Sequence, residues 1–472
     1  MLYPVISPGV FFALPFKKQS KMFRPIAILL FLAISFINVS AQWKQLFDGK
    51  SLQGWKKLGG MAEYSISNGQ IIGTSVANTG NSFLATEEQY ENFILELEIR
   101  IDDTSNNSGV QTRSHYDEAA ENGKGRVYGR QMEIDPSARA WTGGIYDEAR
   151  RGWLYPLSLN PSASKAFKLG KFNKYRIECI GDEMRTFING KIAAYVVDTM
   201  DNKGFIALQV HSVNKPEHAG SKVYFRNIRI NTTAPKALPL RENIYVVNLK
   251  PNALTDLEEK NGWKLLFDGK TTSGWKSAKG SGFPEKGWEV ENGNLTVLPS
   301  GGQESANGGD IVTNEKFSAF DLSFSFRISP GGNSGVKYFV TLQEKTEGSA
   351  IGLEYQVLDD SLHPDAKLGI AGNRTLGSLY DLIKADKQKR FTKDPGEWNW
   401  GRIVVHPDNK VEHYLNGVKV LEYKRGSEQY RKLVAGSKYK TWPNFGEAKE
   451  GHILLQDHGD EVSFRSVKIR KL

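Results

Sequence analysis

The sequence predicts an all-β chain built as two tandem β-sandwich, or jelly-roll, domains. Three observations carry that prediction. Short runs alternate apolar and polar residues, as in Phe93-Ile94-Leu95-Glu96-Leu97-Glu98-Ile99-Arg100, which is the pattern of a strand with one wet face. Asn-Gly pairs recur at Asn68-Gly69, Asn189-Gly190, Asn292-Gly293 and Asn416-Gly417, and both residues tolerate the positive φ of a tight hairpin turn. The opening phrase Trp43-Lys44-Gln45-Leu46-Phe47-Asp48-Gly49-Lys50 returns as Trp263-Lys264-Leu265-Leu266-Phe267-Asp268-Gly269-Lys270. Helical periodicity is nearly absent.

Before the first copy comes an address. Lys17, Lys18, Lys21 and Arg24 precede the apolar run Pro25 to Val39, and Val39-Ser40-Ala41 is a small-residue cleavage site. Basic, apolar and small-residue regions in that order make residues 1–41 a secretory signal peptide, cut near Ala41/Gln42. The expected location is secreted or periplasmic. The run is shorter than the ~20 residues of a membrane span, and no later segment is apolar enough, so no transmembrane span is expected after signal removal.

The first sandwich is expected over 42–233, a linker carrying Pro235, Pro239 and Pro251 over 234–257, and the second sandwich over 258–472. Matched landmarks run through both copies in one order. Asn107-Ser108-Gly109-Val110 pairs with Asn333-Ser334-Gly335-Val336, Ile145-Tyr146-Asp147 with Leu379-Tyr380-Asp381, Leu208-Gln209-Val210-His211 with Leu455-Gln456-Asp457-His458, and Phe225-Arg226-Asn227-Ile228 with Phe464-Arg465-Ser466-Val467.

Composition excludes other classes. Of the 472 residues, 39% are hydrophobic and 24% charged, which excludes global disorder. A single cysteine, Cys179, excludes a disulfide framework and a cysteine zinc cluster; its alternating neighbours predict a buried site. The formal charge of +9 falls to +5 without the four basic residues of the leader, and no Lys/Arg stripe points to nucleic acid.

The landmarks as a set resemble the 3-keto-disaccharide hydrolase domain family, in both copies. That resemblance implies a concanavalin A-like sandwich acting on sugars oxidised to a ketone at C3. A C3 ketone acidifies the proton on C2. A base removes it, an enolate forms, the C1 substituent leaves, and water adding back makes the outcome hydrolysis. Such chemistry needs a base titrating near neutrality, a cation for the enolate oxygen and an acid for the leaving group.

Candidates follow. In a strand, residues two apart share a face, so Gln131 and Glu133 point together, as do Glu354 and Gln356 in swapped order. Glu133 and Glu354 are expected catalytic carboxylates, with His211 and His458 on a neighbouring strand as imidazole partners. Arg113 stands where the resemblance puts an arginine; the second copy has Phe339 there, so the first copy is the preferred catalytic domain. Asn107, Gln131 and Tyr146, with Asn333, Gln356, Lys337 and Tyr380, are expected to bind substrate; Asn107 and Asn333 read equally well as turn residues. The resemblance also brings in a divalent metal ion, with Glu133 and His211 as ligands. The expected partner is an oligosaccharide or glycoside. The alternative is a non-catalytic, lectin-like carbohydrate-binding protein.

Overall fold

A computed structural model describes residues 43–240, 243–344 and 349–472, and residues 9, 12, 13 and 15 of the N-terminal segment. The predicted signal peptide and its cleavage site therefore lie outside the described residues. Each copy is a two-sheet sandwich, so the all-β, tandem β-sandwich prediction holds. Among the described residues the first copy pairs a nine-stranded with a seven-stranded sheet, and the second an eight-stranded with a five-stranded sheet.

The smaller sheet of each copy positions the site. In the first copy its strands run Gly152–Tyr155, Ile145–Glu148, Arg126–Ile134, Ser108–Asp117, Phe205–Val210, Ser82–Thr86 and Trp55–Gly59 from edge to edge. In the second copy the order is Trp275–Ser277, Ile311–Thr313, His452–Leu455, Asn333–Leu342 and Ala350–Leu358. One face of each sheet is core. Val110, Met132 and Leu208 are fully buried against the partner sheet, and Val336, Tyr355 and Leu455 do the same in the second copy. Alternation then turns the polar residues between them to the other face.

The repeated phrases have local causes. Asp48 accepts from the backbone N–H groups of Lys50 and Ser51, and Asp268 from those of Lys270 and Thr271, so the Asp-Gly-Lys turns are Asx turns. Buried Trp55 and Trp275 donate to the carbonyls of Leu46 and Leu266 at 2.7 and 2.6 Å. All four Asn-Gly pairs take positive φ, for example 49° and 83° at Asn189 and Gly190. Cys179 is free and buried in the first core.

Residues 41–472 form one compact unit. The stretch 234–257, expected as a linker, is partly folded. Ile244 to Val247 are buried in the first core, Val247–Asn248 pairs in parallel with Lys191–Val197, and the Tyr245 hydroxyl donates to Ser323 Oγ of the second copy at 3.1 Å. Trp141 also meets Phe391 at 5.4 Å between ring centroids.

Candidate active site

In the first copy the Asn-Ser-Gly motif and the acidic strand build one network. Glu133 lies opposite Gly109 and Gln131 opposite Gln111 across the strand pair. Asn107 Nδ2 donates to Glu133 Oε1 at 2.8 Å, and Gln131 Nε2 donates to Oε2 at 2.9 Å. Gln111 Nε2 donates to Gln131 Oε1 at 2.8 Å, and Ser114 Oγ to Gln111 Oε1 at 2.6 Å. Gly109 is needed here: a Cβ on it would stand 2.1 Å from Gln131 Cδ. Ser108 Oγ donates to the Gln209 carbonyl at 2.6 Å and ties the next strand in. Burial pushes the Glu133 carboxyl up to about 7 despite the two amide bonds that oppose it.

The imidazole strand is not the carboxylate strand's neighbour, because Ser108–Asp117 runs between them. Gln209 stands opposite Gly109, which stands opposite Glu133, so Gln209 shares the Glu133 face. Both amide atoms of Gln209 are buried without a partner, as is Asn107 Oδ1. His211 follows beyond the strand end. Its Nδ1 lies 2.8 Å from the Ser212 carbonyl, and burial lowers its pKa. Tyr146 lies opposite Gln131 on the same face, 5.4 Å from the Trp153 ring.

Arg113 is a correction. Simple alternation would put it on the Gln111 face, but its φ of 47° makes a bulge, and the strand register shifts between Thr112 and His115. The bulge turns the guanidinium inward. It donates to the carbonyls of Glu91 and Gly181 at 2.6 and 2.8 Å and to Asn92 Oδ1 at 3.4 Å. Arg113 is 1% exposed and braces loops. Phe339, its counterpart, has a φ of 51°, and Arg425 lies 3.8 Å from its ring. Arg113 therefore gives the first copy no catalytic group that the second copy lacks.

The second copy gathers its predicted residues in one cleft of about 310 Å³, lined among others by Asn333, Lys337, Glu354, Gln356, Tyr380 and His458. Lys337 lies opposite Glu354, and its Nζ sits 4.0 Å from Glu354 Oε2 and 3.9 Å from Asp310 Oδ2. Those separations exceed a hydrogen bond, so compensation is partial. Burial therefore pushes Glu354 and Asp310 up. Burial alone would lower Lys337, but Glu354, Asp310 and Glu304 together outweigh it and raise its pKa. Gln356 has both amide atoms buried and unpartnered, as are Asn333 Oδ1, Gln456 Oε1 and His458 Nδ1. Buried polar atoms are rarely left so, and these converge on the cleft lining.

Sequence reading missed Asp310, Glu304, His363 and Asp460, which no matched motif contains, and four further contributors. Gln209 and Gln456 sat in a matched motif that drew attention to its histidines. Gln111 directly follows the matched Asn-Ser-Gly-Val motif and has no assigned role there. Lys438 had no signal to find: it comes from the segment 425–451, whose counterpart in the first copy is only 198–204, so repeat comparison was blind to it. Its backbone N–H donates to Asp381 Oδ2 at 2.9 Å, and its Nζ lies 4.2 Å from the Tyr380 ring centroid. Burial lowers the Lys438 pKa, against the pull of Glu354.

At the expected metal pair both Glu133 oxygens accept from amides, and His211 Nδ1 lies against the Ser212 carbonyl, which leaves Nε2 as the ring's ligand atom. Among the described residues the cluster with ligand atoms within 4.8 Å of one another is His363, His458 and Asp460. His458 Nδ1 is buried and unpartnered, and two imidazoles with a carboxylate suit a divalent first-row metal. The donor set fits such an ion.

Comparison with known proteins gives consistent findings. The model of a family described as the 3-keto-alpha-glucoside-1,2-lyase-like domain matches residues 42–231 and 262–470. The 3-keto-disaccharide hydrolase of Bacteroides thetaiotaomicron is 37% identical over 252 residues, which is 48% of this chain and 86% of that protein. Two crystal structures of Parabacteroides distasonis proteins, provisionally assigned as glycosyl hydrolases, are 33% and 27% identical. They cover 47% and 44% of this chain and 100% and 99% of those chains, with TM-scores of 0.41 and 0.34.

Proposed function

The chain belongs to the 3-keto-alpha-glucoside-1,2-lyase-like domain family in two copies, and from that premise we propose that it cleaves 3-keto-glycosides by removing the C2 proton and releasing the C1 substituent. The observation that carries the reading is the second-copy cleft, where a raised carboxyl, a raised ammonium and a lowered ammonium stand together. Glu354 takes the C2 proton. Lys337, held charged, faces the oxygen that becomes the enolate. Lys438 gives its proton to the departing C1 oxygen, leaving a C1–C2 double bond to which water can add. The unpartnered amides of Gln356, Gln456 and Asn333 orient the sugar hydroxyls.

His363, His458 and Asp460 would hold a divalent ion, which when bound would polarise a substrate oxygen. The first copy offers Glu133 as a carboxyl that exchanges a proton near neutral pH. A lectin-like role has less support, because a cleft of opposed charges differs from a shallow aromatic platform. We also propose that the leader-like residues 1–41 send this activity out of the cytoplasm.

The test is incubation with a 3-keto-disaccharide, its C2-deuterated form and the unoxidised disaccharide. Consumption of the keto form alone, slowed by deuterium, is expected. Equal cleavage of the unoxidised sugar, or binding of the keto sugar without turnover, would overturn the reading.

A further inference from the structure

The two copies share an arginine–aromatic arrangement on the outer face of their larger sheets. In the first copy the guanidiniums of Arg100 and Arg226 lie 5.3 and 3.8 Å from the Phe172 ring centroid. In the second, Arg327 and Arg465 lie 5.2 and 3.8 Å from Trp398. The geometry has been kept while the charge balance has changed. Arg226 stands opposite Glu98 and donates to it at 2.7 Å, and Arg100 pairs with Asp102 at 3.1 Å. Arg465 stands opposite Ser325 instead, and Ser329 occupies the register of Asp102. Among the described residues neither Arg327 nor Arg465 has an ion pair, and Arg465 is lowered by burial and by the charge of Arg327, with no carboxylate offsetting them. Both side chains remain half-buried. Arg465, with Ser325 and Trp398, lines a small cavity of about 100 Å³ that Tyr245 and Val247 help to close, and Arg327 reaches the same Trp398 ring without lining it.

Like charges brought together without a counter-charge cost stability, and here the carboxylates that would relieve the cost are replaced by hydroxyls. The acceptor position vacated at Ser325 then suits an anion from outside, met by the Arg465 guanidinium fork and the serine hydroxyl, with the Arg327 charge adding to the local field. We propose that Arg327, Arg465 and Ser325 form an anion-binding subsite on the second sandwich that takes the sulfate or carboxylate group of a saccharide. The saccharide part rests on the function proposed above; the anion site does not. It lies on the sheet that does not carry the Glu354 cleft, so it serves to hold a charged glycan while the cleft works on a sugar end.

The full-length protein is titrated calorimetrically with a sulfated galactan oligosaccharide, an oligogalacturonate and a neutral glucan oligomer of matched length, at low and high salt. Tighter binding of either charged oligomer than of the neutral one, weakened by salt, is expected, and the charged arm that binds identifies the group. Arg465→Gln is expected to weaken binding by about tenfold. Ser325→Glu rebuilds the carboxylate of the first copy in a register that already accepts one, and is expected to abolish binding. Both variants should cleave a small uncharged 3-keto-glucoside at the wild-type rate, which separates failure of this site from failure of the cleft. Equal binding of charged and neutral oligomers, or unchanged binding in Ser325→Glu, would overturn the proposal.

Discussion

Replacing Glu133 by glutamine removes a carboxyl that the fold holds at a disadvantage. Its pKa is displaced from 4.5 to about 7 by burial. Each tenfold change in proton affinity is worth about 1.4 kcal/mol, so ionising this group costs the folded state about 3 kcal/mol. The sign follows from proton counting. Between pH 4.5 and about 7 the folded state binds more protons than the unfolded chain, so stability declines as pH rises through that window. The decline is complete above about 7 and absent below 4.5. Glutamine does not titrate and escapes the penalty. Its new NH2 group would face an amide donor, but Asn107 Oδ1 has no partner, so turning the Asn107 amide restores an acceptor. The expected result is a variant about 1–3 kcal/mol more stable than wild type at pH 8, with the difference shrinking to nothing by pH 4.5. Urea unfolding followed by tryptophan fluorescence across this range measures it. A variant less stable than wild type at pH 8, or a difference that stays flat across the window, would refute the claim that Glu133 sits dry and poised near neutrality.

Further outcomes are expected elsewhere. Gly335→Ala puts a Cβ 2.5 Å from Glu354 Oε1 and should displace that carboxyl, cutting turnover by about a hundredfold with little change in melting temperature; wild-type kinetics would remove Glu354 from the site. Lys438→Met takes a positive charge from beside Glu354, so the carboxyl should rise further and the acid limb of kcat/KM should move to higher pH. Arg113→Met should lower stability by about 2–4 kcal/mol through lost charge-assisted bonds while leaving KM unchanged; a raised KM would return it to the site. Equilibrium dialysis against Mn2+ should load one ion per wild-type chain and none in His363→Ala/Asp460→Asn, and loading of that variant would place the ion elsewhere.

Most of the architecture was legible because it is written in local rules. Alternation fixed which residues share a face, and Asn-Gly pairs marked the hairpins. The repeat located equivalent positions, and alternation put Gln131 on the face of Glu133, to which it donates; the bond from Asn107 to the same carboxyl was not foreseen. Failures came where a local rule was broken or a contact was long in sequence. A single left-handed residue at Arg113 reversed the face, and nothing in its neighbours announces a bulge. The His363–His458–Asp460 cluster joins a loop to a strand end far away in sequence. Lys438 belongs to a segment with no counterpart against which to measure it. The residues at 244–247 looked like linker because prolines flank them, yet their apolar side chains complete the first core.

The swap of Glu and Gln between the copies has a physical cause. Residue 131 lies directly opposite residue 111, and residue 354 directly opposite residue 337. Where position 111 is glutamine, glutamine also stands across from it, the two amides bond, and the carboxyl moves two residues on to Glu133. Where position 337 is lysine, the carboxyl stands opposite the ammonium and the amide takes the Glu133 position as Gln356. One lysine thus dictates where the acid belongs, since a buried ammonium facing an amide would lack a counter-charge. The outcome is two electrostatic environments on one scaffold. In the first, a carboxyl held only by amides is poised to exchange a proton near neutral pH. In the second, a carboxyl beside a permanent cation can take a proton while that cation meets the negative charge that proton removal creates. The proposed proton abstraction next to a ketone would use both halves of that second arrangement, which is why we propose it for the second copy rather than the first.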